Sequence, residues 1–522
     1  MKAHCNGGWF PAVYNGCARS ISQMYRNGDA EVFEKPFPYM VTRPFITQDS
    51  NGFEINRSVE NGFYSGFKSQ HLIRSQADAE AAAAYMGATS SILLLGLHNA
   101  LQYTDEVHLR LSHPNNPVVK RQFEALIGSV LNLVSQTLVD ENGKGFRFSS
   151  VEFVDEATCN IAGASLLGIN GILGAYFTNG IFGDTGGSTT DVSITTASGK
   201  KIILPAIPIA GRMITISSLI QIARMDGWVN SFAKIESGMR TVIDCQINPI
   251  IEKRIEAGMN AKDVLEQLVN DPELQEACQV LLDYFGLTLN VGKSQLLQSL
   301  VCFKDLIVQD IVLHQSSKVF TKEDFEKGNL YLLRLGNGSR SVDLYCDKLP
   351  YSSSKEKLEQ ILRDRADHYM GTASCLQAIH NKSPKSEVSN GLACYDPNAD
   401  SSIRQWEDEG VQTPKELMDK HLETAVQRAM ELARWLKGVV PEICGQIHPL
   451  YSGGVQSGFS ELIQGLDDAN NTRVILREFI NHENGRLGSI YQMSADMGVD
   501  VWVGHAVMDH VNRRLVAVHT AK

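Results

Sequence analysis

The eight residues Asp184-Thr185-Gly186-Gly187-Ser188-Thr189-Thr190-Asp191 hold the densest chemical potential of the 522-residue chain. Two adjacent glycines let a backbone come close to an anion, so successive N–H groups and the hydroxyls of Ser188, Thr189 and Thr190 can face phosphate oxygens. Asp184, ahead of them, can hold the water shell of Mg²⁺, a hard cation that keeps several waters and takes few protein ligands. The same run also suits a plain glycine-rich turn with aspartate as turn former. Glu156, in Asp155-Glu156-Ala157-Thr158, stands 28 residues before Asp184 at a strand-to-helix junction. A carboxylate there can orient water for attack on a terminal phosphate, or favour a helix N-terminus through the dipole. A third segment, Leu450–Phe459 with Gly453, Gly454 and Val455, offers a glycine turn against which a flat base or a ribose can lie.

Hydrophobic periodicity supplies the elements that must carry these groups. Glu106–Leu111 and Phe146–Val154 alternate as strands, and a helix is expected over Val118–Leu138. Ala157–Gly183 has no charged residue and is long enough for a bilayer span, but six glycines, three asparagines and the lack of basic flanks favour a buried helix followed by a buried strand. Past Asp191 come a strand, Val192–Thr196, and a hairpin around Ser198-Gly199. Residues 212–300 read as mostly helical, residues 381–402 as an exposed loop rich in turn formers, and Pro414–Gly438 as a long amphipathic helix. Near the start, Asn15-Gly16 and Asn27-Gly28-Asp29 are hairpin signals within residues 12–40. Alternating strands and helices predict an α/β fold with a mixed sheet.

Taken in order, these segments resemble the actin/Hsp70/sugar-kinase superfamily of ATPases. GIFGDTGGSTTDVSI is similar to its second phosphate motif, VDEATCNIAGA to the segment with the water-positioning acid, and HPLYSGGVQSGFSELI to the adenosine motif. IPIAGRMITISSLI, with Gly211 and Arg212, resembles the stretch that opens the second domain. GVDVWVGHAVMDHV resembles the second connecting helix, with Gly504 at its close-packed position. The N-terminal hairpin resembles that of actins in layout, with Asn15, Gly16 and Cys17 at the phosphate-facing turn, but Tyr14 falls where the family has a metal-associated aspartate. A phenol is a poor acceptor for metal-bound water, so the departure implies either that Asn15 substitutes, or that hydrolysis is slow, or that nucleotide binds without turnover.

The resemblance implies two actin-like (ribonuclease H-like) domains around a central nucleotide cleft, each a mixed sheet flanked by helices. Residues 1–195 completed by 480–522 would form the first domain, and residues 196–479, with helical insertions, the second. ATP or GTP with Mg²⁺ would bind there. Glu156 would position water, and Asp184 would hold the metal through water. Thr185, Gly186, Gly187, Ser188, Thr189 and Thr190 would bind phosphates, with Asp191, Gly211, Arg212, Gly453, Gly454 and Val455 lining the remainder. Val107–Phe123 resembles the equivalent part of plasmid-segregation actins, which implies nucleotide-dependent filaments for DNA segregation or cytoskeletal organisation. The rival is a non-filamentous, nucleotide-gated chaperone, reactivase or assembly factor with weak or absent hydrolysis.

Composition narrows the field further. A formal net charge of −11 excludes a basic nucleic-acid-coating protein, so contact with DNA would pass through an adaptor or client protein. Ten cysteines without a CxxC pair suit reduced thiols in a cytoplasmic protein, and no membrane span is expected. His505 and His510 are five apart, off the spacing that places two ligands on one helix face, and P-loop, nucleophile-elbow and calcium-loop patterns do not occur.

Overall fold

The computed structural model of the chain describes short stretches between residues 2 and 63, then residues 106–113, 147–167, 179–211 without 188, 292–326, 329–346 without 343–344, 353–371, 376–380, 387–404, 414–444, 459–483 and 495–520, with a few single positions besides. In chain order the strands are β1 (Lys2–Cys5), β2 (Gly8–Pro11), β3 (Met40–Arg43), β4 (Ile46–Asp49), β5 (Gly52–Ile55), β6 (Glu60–Phe63), β7 (Glu106–His113), β8 (Arg147–Asp155), β9 (Gly180–Thr185), β10 (Thr190–Thr195), β11 (Lys201–Ile203), β12 (Leu330–Leu335), β13 (Leu376–His380) and β14 (Ile403–Arg404). The helices are α1 (Glu156–Leu167), α2 (Gly292–Ser317), α3 (Lys322–Glu326), α4 (Ser353–Met370), α5 (Glu387–Cys394), α6 (Pro414–Cys444), α7 (Phe459–Leu462), α8 (Ala469–Glu483) and α9 (Ala495–Thr520). This is a mixed α/β protein of two compact units, the first holding residues 1–177 and 381–403, the second most of the remainder.

In the first unit, four strands lie in the order β2-β1-β7-β8, with β7 and β8 parallel and β1 antiparallel to both β2 and β7. The hairpins β3–β6 and β4–β5 are separate two-stranded sheets. The residues expected to form strands over 12–39 lie outside the described residues. The predicted strand over 146–154 and the helix after Asp155 are both present, as β8 and α1. Asp155 ends the strand and caps the helix: its carboxylate accepts the backbone N–H of Thr158 at 2.6 Å, the reach of an N-cap to the third helical residue.

The expected exposed loop over 381–402 is corrected, because it contains α5, in which Glu387 and Leu392 are buried. Its glycine is a packing residue. A Cβ on Gly391 would overlap the carbonyl of Cys159, and one on Gly163 would overlap the carbonyl of Glu387, so α1 and α5 cross with their backbones in contact. Arg110 on β7 closes the far end of α5, donating through Nη1 to Leu392 O at 3.2 Å and Tyr395 O at 2.7 Å, and pairing through Nε with Glu152. A cation at carbonyls left over at a helix C-terminus is favourable on both hydrogen-bond and dipole grounds.

The second unit is built on the sheet β13-β12-β9-β10-β11-β14. β9, β10 and β11 form an antiparallel meander, with the expected turn at Gly199 (φ 82°), and β12 and β13 add in parallel beside β9. Register puts Ile181, Val192, Ile194, Ile202, Leu330 and Leu332 on one face, where they join one core with α2, α6, α8 and α9. The predicted amphipathic helix at Pro414 is present and longer, running through Pro441 to Cys444. Residues 480–522, expected to complete the first domain, belong to the second unit. α9 shares one apolar core with α2, α6 and α8 there, and a Cβ on Gly504 would lie 3.0 Å from Ile307 and Ile311 of α2.

Two aspartates and two arginines tie the helices of this layer together. Asp310 of α2 accepts from Arg365 Nε (2.6 Å) and Tyr369 OH (2.7 Å) of α4 and pairs with Arg428 of α6. Asp500 of α9 accepts from Arg428 Nε at 2.9 Å, lies 2.7 Å from His314 Nδ1 and bonds Gln315. Arg365 also stands over the rings of Tyr369 (4.6 Å) and Trp435 (4.7 Å).

Candidate functional site

The segment singled out in the sequence forms the β9–β10 hairpin. Gly183 lies on the helix-facing side, and Asp184 on the opposite face, where it stands in register with Asp191 across the strand pair. Asp191 is 2 % exposed and Asp184 half-buried. Two carboxylates opposite one another repel, so the pair favours a positive charge nearby. Oxygen donors of this kind suit a hard divalent cation. Among the described residues, no group of three or more His, Cys, Asp or Glu side chains is gathered in a way that could hold a metal ion. A cation here would therefore keep most of its ligands as water or as oxygens of a bound anion.

The tip is more selective than its sequence suggests. Gly186 N–H donates to Thr189 O at 2.9 Å and so closes the turn. Thr190 is fully buried and donates its hydroxyl to Ile209 O at 2.7 Å, while its backbone bridges to Ile207. Thr190 and the Gly186 N–H, expected to face phosphate, are thus committed to holding the hairpin. Thr185, 1 % exposed, has its Oγ1 3.4 Å from Thr190 Oγ1 and is likewise internal. That leaves exposed Gly187 and half-buried Thr189, whose hydroxyl donates to Asp191 at 3.1 Å, as the described groups at the tip.

Two other segments converge on this turn, and both do so through glycine. Gly211 N–H donates to Gly186 O at 3.0 Å, and a Cβ on Gly211 would lie 2.8 Å from Gly338 Cα. Gly338 sits over the hairpin in turn: a Cβ there would be 2.6 Å from Gly186 O and 2.7 Å from Thr185 O. Gly336, with φ 75°, lies against the Asp184 carboxylate and 2.5 Å, by its absent Cβ, from Thr185 O. Three chain segments distant in sequence therefore meet backbone to backbone around Asp184–Gly186. The loop over 336–338 follows β12, whose parallel register with β9 aligns Leu335 with Asp184. It opens a 3₁₀ turn, Asn337–Arg340, in which Ser339 donates both N–H (3.1 Å) and Oγ (2.6 Å) to Gly336 O.

Sequence reading did not single out Gly336 and Gly338. The available signal was an apolar strand, Leu330–Leu335, running straight into Gly-x-Gly. Glu156 lies in the first unit as the first residue of α1, half-buried, and accepts from Ser112 Oγ at 3.2 Å. Of the two readings of its position, the helix N-terminal carboxylate is the one its place on α1 matches. Tyr14, Asn15, Gly16, Cys17, Ser188, Arg212, Gly453, Gly454 and Val455 lie outside the described residues. No model of a known protein family matches the sequence, and no curated protein matches it.

Proposed function

We propose that the chain is a nucleotide-binding protein of the actin-like ATPase type, holding ATP or GTP with Mg²⁺ at the β9–β10 hairpin. The observation that carries this is the convergence of Gly186, Gly211, Gly336 and Gly338 around a hairpin bearing two carboxylates in register. Gly186 and Gly211 spend their N–H groups inside this junction, which fixes the hairpin so that exposed Gly187 and half-buried Thr189 at its tip would be the groups to meet a polyphosphate. The strand order in the second unit supports it, since a three-stranded antiparallel meander followed by two parallel strands beside its first member is the order of a ribonuclease H-like domain. The antiparallel pairing of β1 with β7 in the first unit departs from that pattern.

Asp184 and Asp191 would hold the metal through its water shell, with Gly187 and Thr189 facing phosphate. Mg²⁺, when bound, supplies positive charge that lowers the repulsion between phosphate oxygens and an attacking water. Glu156 takes the water-orienting role by resemblance, and self-association into filaments is proposed on the same footing.

The test is calorimetric titration of the full chain with ATP and GTP, with and without Mg²⁺, followed by phosphate release and high-speed sedimentation. Binding that needs Mg²⁺ and weakens at least tenfold in Asp184→Asn is expected. Absence of binding by both nucleotides would sink the proposal. Binding without sedimentation would remove the filament and leave a nucleotide-gated binding protein.

A further inference from the structure

Arg334 and Tyr345 bracket the glycine loop, one two residues before Gly336 and the other nine after it. Both side chains reach the same carboxylate on α2: Arg334 Nη2 donates to Asp305 Oδ1 at 2.5 Å, and Tyr345 OH donates to Asp305 Oδ2. All three residues are buried, with Arg334 at 1 % and Asp305 and Tyr345 at 0 % exposure. Arg334 stands on the helix-facing side of β12, in register with Gly183, whereas Asp184 and Leu335 occupy the other side. Among the described residues, Nε and Nη1 of Arg334 meet no acceptor, so Asp305 carries the guanidinium. Burial opposes the charge on Arg334, yet Asp305 and Tyr345 outweigh it and hold its pKa above the ordinary value.

We infer that Asp305 is a positioning residue for the site, fixing both stems of the Gly336–Gly338 loop so that its backbone stays against Asp184–Gly186. The inference rests on the nucleotide reading for its functional half. A loop pinned at one stem could pivot, and Gly336, freed by its missing Cβ, would then drift from the Asp184 carboxylate. Pinning at both stems removes that freedom before a ligand arrives, which lowers the ordering cost of binding. A buried ion pair is a weak source of net stability but a good source of fixed geometry.

Tyr345→Phe tests this with least damage, since it removes one hydroxyl and leaves the Arg334–Asp305 pair intact. Hydrogen exchange of the backbone amides at 336–340 should accelerate about tenfold, and ATP affinity should fall by about tenfold, the worth of one hydrogen bond to a charged group. Val312→Ala, elsewhere on α2, is the structural control: it should lower the thermal midpoint while leaving exchange at 336–340 and ATP affinity unchanged. Asp305→Asn should act in the same direction as Tyr345→Phe and more strongly. Unaltered exchange at 336–340 in Tyr345→Phe overturns the inference, and faster exchange with unaltered affinity overturns the positioning role. Should the unmodified chain bind neither ATP nor GTP, the nucleotide reading fails, and the exchange result still decides whether Asp305 holds the loop.

Discussion

Thr189 and Thr190 are adjacent and identical in type, yet only one is available for chemistry. Alternation along β10 sends Thr190 inward to Ile209 O, while Thr189 stays half-buried beside Asp191. Sequence alone shows three hydroxyls in a row, and the pairing of β10 with the segment at 207–209 is what sorts them. Thr190→Val should cost about 1–2 kcal/mol in urea unfolding by leaving Ile209 O unpaired, with little change in nucleotide affinity. Thr189→Val should show the reverse pattern, near-neutral stability with weaker binding. Glu156→Ala should bind nucleotide normally and release phosphate slowly; unchanged turnover would remove Glu156 from the mechanism. Lys304 poses a different question, because burial lowers its pKa from the ordinary lysine value to about 7. The folded state disfavours its charge, so its contribution is complete only above the unfolded value near 10.4 and is lost as pH falls towards 7. Unfolding free energy should therefore gain about 1.5 kcal/mol from this group between pH 7 and about pH 8.5, and that share of the slope should vanish in Lys304→Met.

Elements defined by local pattern were legible, and those defined by partners were not. β7, β8, α1 and the hairpin at Gly199 follow from alternation, capping chemistry and turn residues within a few positions of one another. α5 was hidden because Asn390 and Gly391 are turn formers by type, and only the carbonyl of Cys159 opposite explains the glycine. The same holds for the loop at Gly336, whose neighbour Asp184 lies far earlier in the chain and is brought alongside by the parallel β9–β12 pairing. Gly163→Ala and Gly391→Ala should each destabilise the first unit by about 1–3 kcal/mol, since a methyl group must push two helix backbones apart. Thermal unfolding of the single variants, with proteolysis to report the first unit separately, measures this. An unchanged midpoint in both would show that α1 and α5 do not cross at these glycines.

Across the molecule, the long helices of the second unit depend on buried charge as well as apolar contact. Burial raises the pKa of Asp500, but the hydrogen bond from His314 and the charge of Arg428 outweigh it, so the carboxyl titrates below its ordinary value. A depressed carboxylate gives stability that is complete above its unfolded pKa near 3.9 and is lost as pH falls through the folded value. Urea unfolding should thus show no loss from this group between pH 8 and 5 and a decline below about pH 4. Asp500→Asn should cost about 1–3 kcal/mol at pH 7 by weakening the acceptor that Arg428 Nε, His314 and Gln315 share, while Arg428 keeps Asp310, and should flatten the acid decline. None of this network was legible, because its members are spread over four helices and each alone looks like a surface charge. The first unit carries a consequence of another kind. Arg110 closes a helix 282 residues further along the chain, and the strands β9–β13 and helices α2 and α4 of the second unit are encoded in between. At ribosomal speeds of roughly 5–20 residues per second, α1 emerges and waits about 10–45 s for its glycine-matched partner. The part of the first unit encoded by residues 1–177 is therefore made with that seam open, and during translation the glycine face of α1 stands without the helix that will cover it.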